Sequence, residues 1–381
     1  MDGYVESGKI PGIVTLVSRR GEVVVDAFGK QSLGGGSMRR DSIFRISSMT
    51  KPIVAAAAMI LVEECKLRLN DRIDDLLPEL ADRKVLRRID SPLDDTVPAN
   101  RPITLRDLLT FKLGIGIVMA PPGLYPIQIA LDEAGLTPGP NPLKVAPDEY
   151  MSRLGRLPLI HQPGEKWMYH LGSDILGILV ARASGQSLEQ FLHTRLFAPL
   201  GMKDTGFHVP AEKLNRFTSS YMAGKETGEL AVHDEASASR WAEPPLFPSG
   251  GGGLVSTVDD YLAFCQMMLD KGVHNGERIL SRPSIELMIT DHLTPEQKAD
   301  ARIFFGEHSG WGFGLAVNTR RVDLATVPGR FGWDGGIGTT AYTDPVEGVI
   351  GILMTQRLME SPEPPGVFLD FWTSAYQSID D

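Results

Sequence analysis

Strand-like patterns occur at both ends of this 381-residue chain, and they limit its fold more than any other feature of the sequence. Residues 14–18 and 22–28 are rich in β-branched side chains and flank a glycine turn, which predicts a hairpin. Similar patterns return near the C-terminus, whereas the middle of the chain has helical periodicity. We therefore predict an α+β fold in which residues 1–74 and 246–381 share one sheet. Residues 75–245 are predicted to form a mostly helical inserted domain that carries active-site loops.

The most strongly predicted helix runs from Ser47 to Leu67, because its apolar residues recur at helical spacing. Thr104 followed three residues later by Asp107 is a helix-start signal. Further helices are predicted at residues 174–183, 258–269 and 369–379.

A long connection is predicted at residues 114–147, which are rich in Pro and Gly. Loops of this length inside a domain are usually functional or disordered. Because the segment also carries several apolar side chains, our hypothesis is that it lines the pocket for the acyl or alcohol group of a substrate.

Composition excludes several classes of function. A formal net charge of −10 argues against a nucleic-acid partner, because phosphate binding needs an excess of Lys and Arg. The longest apolar run, residues 53–62, is shorter than the ~20 residues of a membrane span. The N-terminal residues lack the pattern of a signal peptide, so a cytoplasmic protein is expected.

The metal-binding and redox-active residue types show no site pattern. The eight histidines have no metal-ligand spacing, so neither a metal nor an organic cofactor is expected. Cys65 and Cys265 both lie in apolar helical patterns and are expected to be buried free thiols.

One motif indicates chemistry. Ser48 and Lys51 form the only Ser-x-x-Lys in the chain, at the start of the predicted helix. Residues three apart lie one helical turn from each other, so the amine lies beside the hydroxyl. The positive end of a helix favours an anion, so a serine there can attack a carbonyl while its own N–H holds the oxyanion. The motif alone is also typical of an ordinary helix cap.

Longer segments add a resemblance to a known family. Residues 44–52, which contain Ser48 and Lys51, resemble the nucleophile segment of family VIII carboxylesterases and their class C β-lactamase and penicillin-binding-protein relatives. Residues 163–169 resemble the segment that leads into the catalytic tyrosine of that family, here Tyr169. The resemblance implies a β-lactamase-like fold, an antiparallel sheet flanked by helices, with Ser48, Lys51 and Tyr169 as catalytic residues.

The third family element is a Lys-Thr-Gly strand, and this chain departs from it. The matching stretch carries Trp333 and Gly335, as the esterase branch often does. The apolar face of Trp333 suits an uncharged substrate group. Gly335 and Gly336 permit close backbone approach. The resemblance implies that the N–H groups of Ser48 and Gly336 form the oxyanion hole.

The residues after Tyr169 also depart from the β-lactamase pattern. Leu171 stands where β-lactamases have an Asn that holds the substrate amide. His170 stands where the esterases commonly have Ser. Both are candidate substrate-binding residues. For His170, a side chain that points away from the site is the favoured interpretation.

These observations predict a serine carboxylesterase that forms an acyl-enzyme on Ser48. Either Tyr169, whose pKa we expect Lys51 to lower, or neutral Lys51 accepts the serine proton. The expected partner is a small-molecule ester, with β-lactams as weak substrates. The alternatives are a β-lactamase, a D-amino-acid peptidase, an acyltransferase and, from another class, a non-catalytic binding protein.

Overall fold

A computed structural model describes residues 1–224 and 229–380 of the chain. The strands are β1 Gly12–Arg19, β2 Glu22–Gly29, β3 Phe44–Arg45, β4 Lys84–Leu86, β5 Thr96–Pro98, β6 Ser220–Ala223, β7 Leu230–Asp234, β8 Val255–Ser256, β9 Val273–His274, β10 Glu277–Arg278, β11 Ser309–Trp311, β12 Ala316–Asn318, β13 Phe331–Gly335, β14 Thr339–Asp344 and β15 Val349–Thr355. The α-helices are α1 Asp2–Glu6, α2 Thr50–Glu63, α3 Leu105–Leu109, α4 Pro126–Glu133, α5 Pro147–Gly155, α6 Leu171–Ser184, α7 Leu188–Leu192, α8 Ala198–Leu200, α9 Val258–Leu269, α10 Arg282–Met288, α11 Pro295–Asp300, α12 Arg302–Phe305 and α13 Gly366–Gln377. Short 3-10 helices occur at Ser47–Met49, Pro78–Leu80, Ala211–Arg216 and Ala236–Ala238, and a π-helical segment, His193–Phe197, joins α7 to α8.

The two ends of the chain pair into one antiparallel sheet of seven strands, in the order β11-β12-β13-β14-β15-β1-β2. Strand β1 pairs with β15, which connects the two ends of the chain in the sheet, and Leu16 lies opposite Ile352. The β1–β2 hairpin turns through Arg20 and Gly21, which both have positive φ. The predicted sheet shared by both ends is therefore confirmed.

Helices cover both faces of this sheet. Because side chains alternate along a strand, neighbouring residues of β15 enter different cores. Ile352 packs into the main core with α2, whereas Leu353 packs against Phe368 and Trp372 of α13. The result is an α+β fold with helices flanking an antiparallel sheet, as predicted.

Helix α2 lies at the centre of the main core. Every residue from Thr50 to Leu61 is buried, which is typical of a helix surrounded by protein rather than of an amphipathic surface helix. Its neighbours include α6, and Ile53 of α2 and Ile175 of α6 belong to the same core cluster. The N-terminal end of α2 is therefore held rigidly from several sides.

Several local predictions are confirmed. Helix α9 has the predicted bounds, and Thr104 and Asp107 form a reciprocal capping box at the start of α3. Other predictions were wrong. Residues 114–147 include helix α4, whose Ile127 is fully buried, so the segment is not one continuous loop.

The expected burial of both thiols holds for Cys265 alone. Cys65 is exposed and has φ +58, because the chain turns directly after α2 ends at Glu63. Both cysteines are free.

Two further findings concern residues 1–224 and 229–380. None of their helices is both long and apolar enough to cross a bilayer. They also contain no group of three His, Cys, Asp or Glu side chains placed to hold a metal ion. The domain division at residues 74/75 and 245/246 stays a prediction.

Candidate active site

The chain enters α2 through one tight turn that carries Ser48. Ser47 has φ +46, a conformation uncommon for residues other than glycine. The turn is anchored by the pairing of Phe44 in β3 with Ser256 in β8, and by an Ile46 N–H bond to the carbonyl of Leu254 at 3.0 Å. The Ser48 side chain is thus fixed at the positive end of α2, with 7% of the residue exposed.

Lys51 is completely buried, and its amine has three polar neighbours. Its Nζ lies 2.8 Å from Ser48 Oγ, 2.5 Å from the carbonyl oxygen of Gly251 and 3.2 Å from His170 Nδ1. Burial lowers the pKa of Lys51 to about 7, although the charge of Asp174 opposes the shift. About half of the amine is therefore neutral at pH 7 and able to accept a proton.

Tyr169 approaches Ser48 from the segment that precedes α6. Its hydroxyl lies close enough to Ser48 for the serine hydroxyl to lower its pKa, and it accepts a bond from Trp333 Nε1 at 2.7 Å. The Lys51 Nζ lies 4.6 Å from the centre of the phenol ring. Ser48, Lys51 and Tyr169 therefore meet in one place.

The expected lowering of the Tyr169 pKa was wrong. Burial raises it, and this outweighs the opposite effect of the hydrogen bonds to Ser48 and Trp333. The phenol consequently stays protonated near neutral pH and acts as a hydrogen-bond donor, which leaves Lys51 as the group able to accept a proton.

Trp333 belongs to a cluster of aromatic side chains behind Tyr169. The indole is 7% exposed and meets the Trp311 ring at a centroid distance of 4.7 Å, nearly perpendicular. The other aromatic side chains of the cluster are Phe111, Trp167, Phe304, Phe305 and Tyr342. The polar contact of Trp333 is its hydrogen bond to Tyr169, which orients the phenol. A contact between Trp333 and the substrate stays a prediction.

The three other predicted residues of this region have different surroundings. Gly335 is packed against protein backbone, because a Cβ there would lie 2.4 Å from the carbonyl oxygen of Ile46. A Cβ on Gly336 would meet only Ser47 Oγ, at 3.9 Å, which leaves open space beside the nucleophile turn. Leu171 is fully buried in the main core, which argues against a substrate contact.

His170 points into the site, and the favoured interpretation of a side chain pointing away was wrong. Its Nδ1 faces Lys51, and its Nε2 lies 3.2 Å from Asp174 Oδ2. Asp174 Oδ1 accepts bonds from Ser249 Oγ at 2.6 Å and from the Gly251 N–H at 2.9 Å. These polar groups form a buried network beside Lys51.

The family model described as Beta-lactamase matches residues 1–366. The chain belongs to the β-lactamase family. Esterase EstB of Burkholderia gladioli is 30% identical over 392 residues, which cover 96% of this chain and 90% of that protein. The family match and this relative identify a serine hydrolase and confirm the resemblance to family VIII-type carboxylesterases.

Two other proteins extend the comparison. Protein Rv1367c of Mycobacterium tuberculosis (strain ATCC 25618 / H37Rv) is 37% identical over 361 residues, covering 92% of this chain and 87% of that protein. The solved structure of EstCE1, described as a hydrolase with promiscuous acyltransferase activity, superimposes with a TM-score of 0.81. It is 24% identical and covers 98% of this chain and 96% of that chain, so it supports the fold.

Sequence reasoning gave Asp174 no role in the site of this β-lactamase-family protein. A signal for it existed, because His170 and Asp174 are four residues apart and so share one helical face. Ser249 and Gly251 had no such signal, since only the folded chain brings their loop against α6.

A narrow cleft with about 40 Å³ of space for water-sized groups lies beside the network. Its wall includes Ser47 and His170 on one side, and residues 138–143 on the other. Phe207, Trp241, Phe247 and Ile337 add apolar surface, and Arg240 adds a charge that is hydrogen-bonded to Asn141. Two parts of the 114–147 segment therefore reach the site: residues 138–143 line the cleft, and the Ile117 N–H donates to the carbonyl of Tyr169 at 2.9 Å.

Proposed function

We propose that this serine hydrolase is a carboxylesterase that cleaves small esters through an acyl-enzyme on Ser48. The observation that carries the proposal is the place of Ser48 Oγ, which lies 2.8 Å from Lys51 Nζ and close enough to Tyr169 to affect the pKa of its hydroxyl. A serine hydroxyl becomes a nucleophile when an adjacent base takes its proton. The lowered pKa of Lys51 supports the amine as that base.

The proposed reaction moves one proton forward and back. Ser48 Oγ attacks the ester carbonyl as its proton passes to the Lys51 amine. The resulting ammonium group then gives this proton to the departing alcohol. The Tyr169 phenol donates a hydrogen bond to the reacting oxygen atoms as they become negatively charged. Water repeats the sequence on the acyl-enzyme, releasing the acid and restoring Ser48.

The oxyanion hole is proposed to consist of the backbone N–H groups of Ser48 and Gly336. Support comes from the open space at Gly336 and from the position of Ser48 at the positive end of α2. Backbone donors held by a strand end and a helix end need little rearrangement when the negative charge develops.

The site favours esters over β-lactams as substrates. Where the β-lactamases carry the Lys of Lys-Thr-Gly, a charge able to bind a carboxylate, Trp333 is uncharged and bound to Tyr169. Where they carry an Asn, Leu171 is buried and has no polar atom to offer. The relative EstB is also named an esterase.

A substrate panel tests this preference. We expect kcat/KM for p-nitrophenyl butyrate to exceed that for a cephalosporin by at least about 10²-fold, because β-lactam binding lacks two polar contacts worth roughly 1–3 kcal/mol each. Hydrolysis is followed by absorbance on the same enzyme preparation, with a D-alanyl-D-alanine peptide as a third arm. A cephalosporin or D-peptide that outperforms the ester would contradict the proposal.

Acyl transfer is the second candidate function, because EstCE1 is described as having that activity. Its chemistry requires an alcohol to replace water at the acyl-enzyme. Adding a primary alcohol to the ester assay and measuring the new ester by chromatography separates the two functions. If the reaction forms more of the new ester than of the free acid when alcohol and water have equal thermodynamic activity, the transferase function is favoured.

The pH dependence of ester hydrolysis follows from Lys51. The amine acts as a base only when neutral, and its pKa is about 7, so activity is lost as the pH falls through 7. We expect kcat/KM at pH 6 to be about tenfold below a plateau reached near pH 8. A pH series with an uncharged ester checks this. A profile with no rise between pH 6 and 8 would exclude Lys51 as the base.

A further inference from the structure

His170 and Asp174 form a buried hydrogen-bonded pair that the mechanism above does not use. The imidazole lies between Lys51 and Asp174, 3.2 Å from a polar atom of each. The Asp174 side chain is 1% exposed and the His170 side chain 13% exposed. Since the pair is shielded from bulk water, its hydrogen bonds decide which atoms carry protons.

The carboxylate fixes the tautomer of the imidazole. Burial by itself raises the pKa of Asp174, but His170 and the donors Ser249 and Gly251 outweigh it and hold the pKa below its usual range. An ionised carboxylate can only accept, so Nε2 of His170 carries the proton that faces it. Burial and the nearby Lys51 lower the pKa of His170, so the ring is neutral and its Nδ1 is an acceptor.

The acceptors around Lys51 then determine the direction of its lone pair. A neutral amine has two N–H bonds and one lone pair. The carbonyl oxygen of Gly251, at 2.5 Å, can only accept, and so can His170 Nδ1 in this tautomer. With both N–H bonds used, the lone pair faces Ser48 Oγ at 2.8 Å.

We propose that His170, held by Asp174, is a positioning residue that directs the lone pair of neutral Lys51 toward the Ser48 hydroxyl. The inference rests on the proposed Ser48 acyl-enzyme and adds a residue to its mechanism. In each step the proton passes between Ser48 Oγ and Lys51 Nζ, while His170 and Asp174 keep their own protonation states. His170 thus acts through Lys51 and does not touch the ester.

The backbone conformation of His170 supports a functional role for its side chain. His170 has φ +85 and ψ −62, immediately before α6 begins. Such a conformation is strained for any residue with a Cβ and is found mostly where function requires it. Glycine would relieve the strain, so the protein offers a variant that removes the imidazole without disturbing the backbone.

Few other titratable groups face the pair. Lys51 faces His170 from α2, Asp174 faces it from α6, and the Tyr169 ring lies at 5.8 Å in the preceding segment. Tyr150 of α5 faces Asp174 and stays neutral, because burial raises its pKa well above the usual value. A change in pH profile caused by removing His170 can therefore be assigned to Lys51.

The test is His170→Gly assayed with and without added imidazole. We expect kcat for p-nitrophenyl butyrate to fall about 10²-fold with KM little changed, because the base is misdirected while substrate contacts remain. The acidic limb of the pH profile should move up by about one pH unit, since water entering the space lets Lys51 hold its proton. Imidazole at millimolar concentration should raise the kcat of this variant by at least about tenfold.

Two comparisons make the test specific. Asp174→Asn presents an amide N–H to His170 and reverses its tautomer, so a similar fall in kcat is expected with no rescue by imidazole. His193→Ala, which removes an exposed histidine from the π-helical segment, should leave activity and its response to imidazole unchanged. Thermal unfolding of each variant checks that the fold is intact.

The outcomes separate this inference from the function on which it rests. If a fluorophosphonate labels Ser48 but His170→Gly keeps wild-type kcat and pH profile, the positioning role is overturned and the esterase remains. If Ser48 of the wild-type protein is not labelled, both are overturned. A folded His170→Gly variant with reduced kcat but neither a shifted profile nor imidazole rescue also overturns the positioning role.

Discussion

Replacing Ser48 with alanine is expected to reduce kcat for p-nitrophenyl butyrate by about 10⁴-fold or more, because removal of the nucleophile from a serine hydrolase leaves only the catalysis due to binding and the oxyanion hole. The folded structure should persist, since the hydroxyl contributes only its hydrogen bond with Lys51 and its contact with Tyr169, and alanine fits the same turn. Steady-state kinetics and thermal unfolding measure the two effects.

Ser173→Ala is the matched control for this experiment. Ser173 is also buried and lies near the site on α6, but its hydroxyl has no hydrogen-bond partner among the described residues. Its removal should change neither rate nor unfolding temperature noticeably. Mass spectrometry after fluorophosphonate treatment adds direct evidence, because the label should appear on Ser48 in the control and be absent from Ser48→Ala. Turnover that survives in Ser48→Ala would end the assignment of the nucleophile.

The fold was predictable where its causes are local. The β1–β2 hairpin and helix α9 follow from side-chain periodicity and from turn or cap residues that lie within a few positions of each other. Helix α4 was missed because Pro126 and the surrounding Pro and Gly residues resemble a loop, although Pro at the first turn of a helix is well tolerated. Cys65 was misplaced because the apolar pattern gives no sign of where α2 ends.

The site was only partly predictable, for a different reason. Ser48 and Lys51 are three residues apart, so their proximity follows from helix geometry, and Tyr169 followed from a resemblance that spans most of the chain. The pKa of Tyr169 was mispredicted because it depends on burial among aromatic side chains that come mostly from distant parts of the chain. Such long-range burial becomes visible only after folding.

Replacing Lys51 with methionine is expected to lower kcat/KM for p-nitrophenyl butyrate by about 10³-fold, because a positioned general base contributes roughly 10²–10⁴-fold. Methionine fills the buried space left by the amine's hydrocarbon stem, so the free energy of unfolding should be unchanged or higher. The cost of burying a lysine, which the lowered pKa of Lys51 reflects, offsets the loss of its bonds to the Gly251 carbonyl and His170. Lower activity with undiminished stability distinguishes a catalytic amine from a structural one.

Lys112→Met supplies the comparison that makes this result decisive. Lys112 is also partly buried, with a pKa lowered by burial, but its amine donates to the carbonyl of His292 at 3.0 Å, away from Ser48. We expect this variant to keep wild-type kcat/KM. The acidic limb assigned to Lys51 should also disappear in Lys51→Met, since the residual reaction no longer depends on that amine. A persistent limb near pH 7, or equal losses in the two variants, would show that the base is another group.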